Sequence, residues 1–369
     1  MIVGVPKEIK EHEYRVGLLP VNSEALINAG HAMLIEQHAG DGSGAYDADY
    51  RAVGATVLHS AKEIYRRADM IVKVKEPQPS EIKLSRPGQI VFTYFHFAAD
   101  KPLFEATVKS GIVAIAYETI QLPDGTLPLL TPMSEIAGRM AVHEGAKYLE
   151  EPMKGRGLLL AGVPGVAPAK VVILGGGVVG SNAAKMAAGL GADVTILDIS
   201  LPRLRYLDDV MPKNVKTLMS DAHNIRDQVR QADLLIGAVL RPGARAPMLV
   251  NRQLVRQMKR GAVIVDVAID QGGCIETSKP TTHGNPTYLV DGVVHYCVTN
   301  MPGAVARTST LALTNATFPY ALEIAMKGYR RAANENPAVA AGLNVVNGKV
   351  FYRDLSQLYR LSLASLNDL

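Results

Sequence analysis

Lys170-Val171-Val172-Ile173-Leu174-Gly175-Gly176-Gly177-Val178-Val179-Gly180 is the stretch that decides how this chain folds. Its first five residues have the composition of a short buried strand, and they run straight into a G-x-G-x-x-G loop. Residues 181–190 then read as a helix, with Ala184, Ala187 and Ala188 forming one small-residue face. Val194-Thr195-Ile196-Leu197 is a second strand and ends in Asp198. Each glycine has a physical task in such a unit. Gly175 permits the tight turn, Gly177 lets backbone approach a pyrophosphate, and Gly180 lets helix and strand pack closely. The N–H groups at the start of the helix are left to bind phosphate. Asp198 follows Gly180 by 18 residues, where a carboxylate accepts from ribose hydroxyls and repels a 2′-phosphate. That favours NAD, while Arg203 and Arg205, five and seven residues further on, keep NADP open. The plain alternative is a glycine-rich turn that binds nothing.

Outward from this loop, strands and helices alternate. Strands are predicted at 2–5, 33–37, 70–74, 90–94 and 113–117, with helices such as 21–29 and 102–109 between them. A second series follows at 171–174, 194–198, 234–238, 263–267 and 293–298. This rhythm implies two α/β units, each a doubly wound parallel sheet of Rossmann type. The chain has 369 residues, too many for one ordinary core. Leu127-Pro128-Leu129-Leu130-Thr131-Pro132 is expected to resist helix formation and mark the first boundary, with a helix opening at Ser134. Asn300-Met301-Pro302-Gly303 marks the return. The expected division is 1–128 plus 304–369 for a substrate domain and 129–303 for a dinucleotide domain. The C-terminal segment, with one helix over 308–333 and a hairpin turn at Asn347-Gly348, has no alternation of its own. It is expected to pack back on the first domain.

Composition removes several classes. The chain is 48% hydrophobic and 20% charged, as a globular protein should be. Net charge is +4, and the densest basic clusters are the doublets Arg66-Arg67 and Arg330-Arg331, so no nucleic-acid partner is expected. Cys274 and Cys297 have no metal-ligand spacing, so they are expected to be buried thiols and no metal site is predicted. Without a signal segment or a long apolar run, a cytoplasmic location and no membrane span are expected.

Four polar residues stand at the predicted chemistry. Arg15 follows the first strand, Lys75 ends the run Ile71-Val72-Lys73-Val74, His96 closes Val91-Phe92-Thr93-Tyr94-Phe95, and Asp270 ends the run begun at Val263. Carboxyl ends of parallel strands are where open α/β sheets hold ligands. Arg15 and Lys75 have an alternative as surface charges, His96 as a core histidine, and Asp270 as a turn cap. Taken together they supply a carboxylate-binding cation, groups to manage an amine and a proton carrier near neutrality, the set that oxidation of an amino acid requires.

Around these residues the chain resembles the alanine dehydrogenase family, which includes the transhydrogenase NAD-binding subunit. The resemblance rests on Gly4-Val5-Pro6-Lys7-Glu8, Glu13-Tyr14-Arg15-Val16, Val72-Lys73-Val74-Lys75-Glu76-Pro77 and Ala116-Tyr117-Glu118-Thr119. It extends to Pro132-Met133-Ser134-Glu135-Ile136-Ala137-Gly138-Arg139, Gly162-Val163-Pro164-Gly165-Val166 and Asp266-Val267-Ala268-Ile269-Asp270-Gln271-Gly272-Gly273. It implies that Arg15 and Lys75 hold the substrate carboxylate and carbonyl, that His96 is the acid–base group, and that Asp270 orients the ammonium or the attacking water and shares the proton work. For NAD it implies Ser134, Gly175, Gly177, Val178, Val179, Gly180, Asp198, Arg203, Ser220, Val239 and Leu240. It adds Val267, Ala268, Ile269 and Asp270, then Lys279, and Val298, Thr299, Asn300 and Met301. At Arg203 and Lys279 the family carries either basic residue. The implied reaction is reversible NAD-dependent deamination of L-alanine to pyruvate and ammonium, in a homohexamer. Two other readings stand beside it, a saccharopine-type lysine-forming dehydrogenase and a catalytically silent NAD-binding module related to the transhydrogenase subunit.

Overall fold

The computed structural model describes residues 1–239 and 245–369. They form two compact units, residues 1–133 with 303–369, and residues 134–302.

In the first unit the sheet runs, in spatial order, Thr56–Leu58, Ala32–Glu36, Ile2–Val5, Met70–Val72, Ile90–Thr93 and Val113–Ala116, all parallel. Two more strands, Leu343–Val346 and Lys349–Val350, extend it antiparallel beyond Val113–Ala116. Numbered along the chain, the parallel part has the doubly wound order 3-2-1-4-5-6. Its switch point lies between Ile2–Val5 and Met70–Val72. Parallel strands covered on both faces are apolar without alternation. Ile71, Val91, Ala114 and Val345 pack with Ile64, Tyr65, Phe104 and Leu355 from the helices Ala61–Arg67, Lys101–Ser110 and Arg353–Tyr359. Val3, Val5, Met70, Val72 and Phe92, on the opposite face, are as deeply buried. The helix Lys101–Ser110 shows how locally such an element is specified. Asp100 caps it by accepting from Leu103 N at 3.0 Å, Pro102 sits in the first turn, and Gly111 leaves it with φ 71°.

The second unit repeats the plan. Its order is Val215–Met219, Asp193–Asp198, Lys170–Leu174, Leu234–Gly237, Val263–Asp266 and Val293–Tyr296, again parallel, with Thr287–Val290 antiparallel at the edge. Val172, Leu174, Leu197, Leu235 and Ile264 pack with Ile225, Val229, Leu254 and Val255 on one face. Cys274 and Cys297 are both free and buried.

Two expectations about helices are corrected. Helix Thr131–Tyr148 begins before Ser134 and takes in Pro132, which the first turn tolerates because its missing N–H would have no partner there. The expected helix over 308–333 is two, Ala306–Lys327 and Tyr329–Glu335. Gly328 separates them at φ 73°, ψ 152°, outside any helical conformation. The first of the two is a core helix, burying Ser309, Thr310, Leu313, Thr314, Thr317, Ala321 and Ile324 at helical spacing. The C-terminal segment returns to the first sheet, where Asn347 (φ 49°) and Gly348 (φ 82°) make the two-residue turn of its hairpin. No helix among the described residues is long and apolar enough to cross a membrane.

Candidate active site

In the first unit, Arg15, Lys75 and His96 all follow strands at the carboxyl edge of the sheet. The strands before Lys75 and His96 end earlier than expected, at Val72 and Thr93, so both residues lie on the loops beyond. Arg15 is no surface charge, being only 2% exposed. Its Nε and Nη2 donate to the two oxygens of Glu13 at 2.7 and 2.6 Å, a bidentate pair. Its Nη1 lies 3.0 Å from Met133 Sδ. Burial opposes the guanidinium charge, but Glu13 outweighs it and the Arg15 pKa is raised. Gly17 lets this segment lie against the strand that leads to Lys75, since a Cβ there would sit 2.6 Å from Val72 O.

Lys75 is placed through its backbone. Glu8 Oε1 accepts from Val74 N at 2.7 Å and Lys75 N at 3.3 Å, and Thr93 Oγ1 donates to Lys75 O at 2.9 Å. The other Glu8 oxygen lies 3.1 Å from Nζ of Lys73, a wholly buried lysine that also donates to Glu81 at 2.6 Å. The loop bearing Lys75 therefore hangs on a buried ion cluster.

His96 occupies the left-handed region at φ 53°, unusual for a residue with a side chain. Glu118 holds it there. Its Oε1 accepts from His96 N at 2.6 Å and Phe95 N at 3.0 Å, and its Oε2 stands 3.2 Å from Phe95 N. The imidazole is 43% exposed, not a core histidine, and its Nδ1 lies 3.6 Å from Glu76 Oε2. Tyr94 Oη is occupied by Leu129 O at 2.5 Å. Glu76 is the neighbour that His96 and Lys75 share, and it pairs with Lys10 as well. Burial raises its pKa, but His96, Lys75 and Lys10 outweigh this and hold it far below the usual carboxylate range. The acids Glu8, Glu13, Glu76 and Glu118 were assigned no role in the sequence. They lay in the very stretches that carry the family resemblance, which was the available signal.

In the second unit the three glycines of the loop meet different surroundings. Gly175 has φ 103°, and a Cβ there would sit 2.7 Å from Ala238 O. A Cβ on Gly180 would fall 1.8 Å from Gly175 O, so only glycine closes this helix on its strand. At Gly177 a Cβ meets nothing within 4 Å among the described residues, which leaves open space before the start of helix Val178–Gly189. Gly176 is clasped from both sides. Its N–H donates to Asp198 Oδ2 at 2.7 Å, and its carbonyl accepts from Arg203 Nε at 2.6 Å. Ser220 N donates to Asp198 O at 2.9 Å, bringing Ser220 to the same strand end. Val239 is beside Gly175, with Cγ1 3.0 Å from the position of a Cβ there, and Leu240 lies outside the described residues. Gly138 approaches Val179 closely, its would-be Cβ 2.2 Å from Val179 O, and Ser134 is one helical turn before it on the same face.

Asp270 does not end a strand. The strand stops at Asp266, and Val267, Ala268, Ile269 and Asp270 lie in the 3-10 turn Val267–Gln271. Asp266 anchors this turn, accepting from Ala268 N, Cys274 N and Ser278 Oγ at 3.1, 3.1 and 2.7 Å. Asp270 itself is exposed. Further along, Lys279 N donates to Tyr288 Oη at 2.6 Å, and Thr299 N to Thr281 O at 3.2 Å. Val298 and Met301 are buried, and Asn300 takes φ 65° with its carbonyl 3.1 Å from His283 Nε2.

Comparison with known proteins matches residues 4–137 to the alanine dehydrogenase/PNT N-terminal domain and 141–353 to the C-terminal domain of the same family. An alanine dehydrogenase of Methanococcus maripaludis is 58% identical, over 98% of this chain and 97% of its own. A solved L-alanine dehydrogenase superposes with a TM-score of 0.94 at 54% identity, covering 98% of this chain and 99% of that one. A transhydrogenase from Sinorhizobium meliloti gives 0.80 at 25% identity, over 96% and 99% of the two chains.

Proposed function

The chain belongs to the alanine dehydrogenase/PNT family, and from that membership we propose that it is an L-alanine dehydrogenase, an oxidoreductase acting on a CH–NH2 group. The observation that carries this is the identity of 58% along nearly the whole of both chains, against 25% to the transhydrogenase. The reaction is L-alanine + NAD + water giving pyruvate, ammonium, NADH and a proton, in either direction.

NAD is the proposed cofactor, and it supplies the hydride acceptor when bound. The residues present suit it. Gly177 leaves room before a helix N-terminus, and Asp198 stands at the end of the next strand. The resemblance further assigns Ser134, Val178, Val179, Arg203, Ser220, Val239, Leu240, Lys279 and the segments 267–270 and 298–301 to this cofactor.

Toward the substrate, Arg15 binds the carboxylate, held by Glu13 so that its fork cannot swing. Lys75 polarises the carbonyl of pyruvate. His96 removes a proton from the water that adds to the imine carbon and returns one to the departing amine. Asp270 orients the ammonium or that water and shares the proton work. A cytoplasmic location and a homohexameric assembly complete the proposal, and a solution mass of six chains is expected. The test of the activity is NADH formation across a panel of amino acids. Turnover of glutamate or lysine with none of alanine would sink the proposal.

Two glycine substitutions test the cofactor loop separately. Gly180→Ala drives a methyl into Gly175 O, and such overpacking costs about 1–3 kcal/mol. Both the unfolding midpoint and NADH affinity should fall. Gly177→Ala meets nothing within 4 Å among the described residues, and alanine is a poorer helix N-cap than glycine by no more than about 1 kcal/mol, so the unfolding midpoint should fall by only about 1–2 °C. NADH affinity, read by fluorescence titration, should nevertheless fall about tenfold or more, because the added methyl faces the pyrophosphate. Parent-like binding by Gly177→Ala would show that the pyrophosphate lies elsewhere.

A further inference from the structure

The carboxylate of Glu76 has one oxygen that the fold leaves unsatisfied. Oε1 pairs with Lys10. Oε2 is buried and, among the described residues, has no hydrogen-bond partner. A buried carboxylate oxygen without a donor is costly, so its persistence calls for a reason. What it faces is Nδ1 of His96, 3.6 Å away. That is longer than a hydrogen bond, yet a small rotation of the ring closes it, and catalytic contacts commonly tighten only once substrate is bound.

The other groups near the imidazole are committed elsewhere. Glu118 spends its carboxylate on the N–H groups of Phe95 and His96, so it sets the backbone and not the ring. Tyr94 Oη is bound to Leu129 O, although its ring lies 5.7 Å from the imidazole. Among the described residues, Glu76 is left as the acceptor for the ring. We propose that Glu76 is the positioning residue of His96: its carboxylate keeps a proton on Nδ1 and so leaves the lone pair of Nε2 for the reacting proton. Which imidazole nitrogen carries the proton is set by the partner of the other nitrogen. The Lys10 pair fixes the carboxylate in turn. Burial opposes its charge, but the contact with His96 and the charges of Lys75 and Lys10 outweigh burial, so it stays ionised and able to stabilise the imidazolium that forms when Nε2 takes a proton. Glu76 touches no reacting atom in this scheme and acts on the proton transfer through His96. The inference rests on the reading of His96 as the acid–base group.

Glu76→Gln tests it in the full-length protein. The amide keeps the volume, loses the charge and can offer N–H to Nδ1, which favours the wrong tautomer. Loss of the orienting carboxylate in a comparable His–Asp pair lowers kcat by about 10⁴, and a fall of roughly 10² or more is expected here. NADH affinity should stay within about threefold, since the glycine loop does not involve Glu76, and the loss should fall on kcat far more than on KM for alanine, which moves only as far as Lys75 feels the missing charge. The double variant Glu76→Gln/His96→Ala should be no slower than His96→Ala alone, because a residue acting through His96 has nothing left to act on. Should Glu76→Gln fail to fold, Glu76→Asp serves instead. It keeps the charge but withdraws it by one methylene, and kcat should fall about tenfold at unchanged KM. A kcat within about threefold of the parent for the folded variant, or additive losses in the double variant, overturns the inference. A parent enzyme inactive on alanine, or a His96→Ala variant of near-normal kcat, overturns instead the reading on which it rests.

Discussion

Replacing His96 by alanine is expected to lower kcat for alanine by about 10²–10⁴ while NADH still binds with parental affinity. The proton transfers at the imine carbon and at the leaving amine need a group that both takes and gives a proton near neutrality, and the other residues assigned to the substrate do not replace it. Arg15 is locked to Glu13 and permanently charged. NADH binding should survive because the glycine loop belongs to the other unit. One complication is conformational. His96 sits at φ 53°, and alanine has no particular tolerance for that region, so part of any loss could be a shifted loop. His96→Asn answers this, since asparagine accepts the left-handed region readily while lacking an imidazole. Both variants should be equally inactive and should unfold within a few degrees of the parent. Near-normal turnover by either one would remove His96 from the mechanism.

What could be read from the sequence and what could not follow different physics. The strand Lys170–Leu174, its glycine loop and Asp198 form one local unit, so their spacing alone carried them. Buried parallel strands such as Ile90–Thr93 and Val113–Ala116 were equally legible as apolar runs. The edges were not. Thr56–Leu58 is three residues long and partly exposed, and Val215–Met219 carries an exposed Lys216, because an edge strand need not be apolar on both faces. Thr287–Val290 was missed for the same reason. Breaks inside apolar stretches were also hidden, since Gly328 alone divides what periodicity joins. In the candidate site, cations at strand ends announced themselves by position. The carboxylates that hold them did not, because each contact spans distant sequence. Glu8 reaches Val74, and Glu118 reaches His96, through pairings only the folded sheet creates. Before folding, such residues look like any others in a chain that is 20% charged.

The largest stability effect should come from a residue with no proposed part in the chemistry. Lys73→Met keeps the volume at a wholly buried position but removes the cation between Glu8 and Glu81. Breaking one side of a buried ion cluster costs about 3–5 kcal/mol, since the partners keep their desolvation and lose their compensation. For a protein of this size that is a fall of roughly 4–6 °C in the unfolding midpoint. The loss should depend on pH in a defined direction. Burial already raises the pKa of Glu8, with Lys73 pulling it down, and losing Lys73 raises it further. Between its ordinary value of 4.5, where the unfolded chain ionises, and its raised folded value, such a carboxyl keeps its proton only in the folded state. Stability from such a group is intact below the ordinary value and is lost as pH rises through the folded pKa. The deficit of Lys73→Met should therefore be smallest near pH 5 and grow toward pH 8, which thermal unfolding across that range would show. Adding Glu8→Gln should recover part of the deficit at pH 8, because one stranded carboxylate is removed. It should not recover activity, since Glu8 is also the acceptor for the N–H groups of Val74 and Lys75. A midpoint for Lys73→Met within about 2 °C of the parent at pH 8 would mean that water reaches the cluster and screens it. In that case Lys75 is held in place by something other than a buried charge.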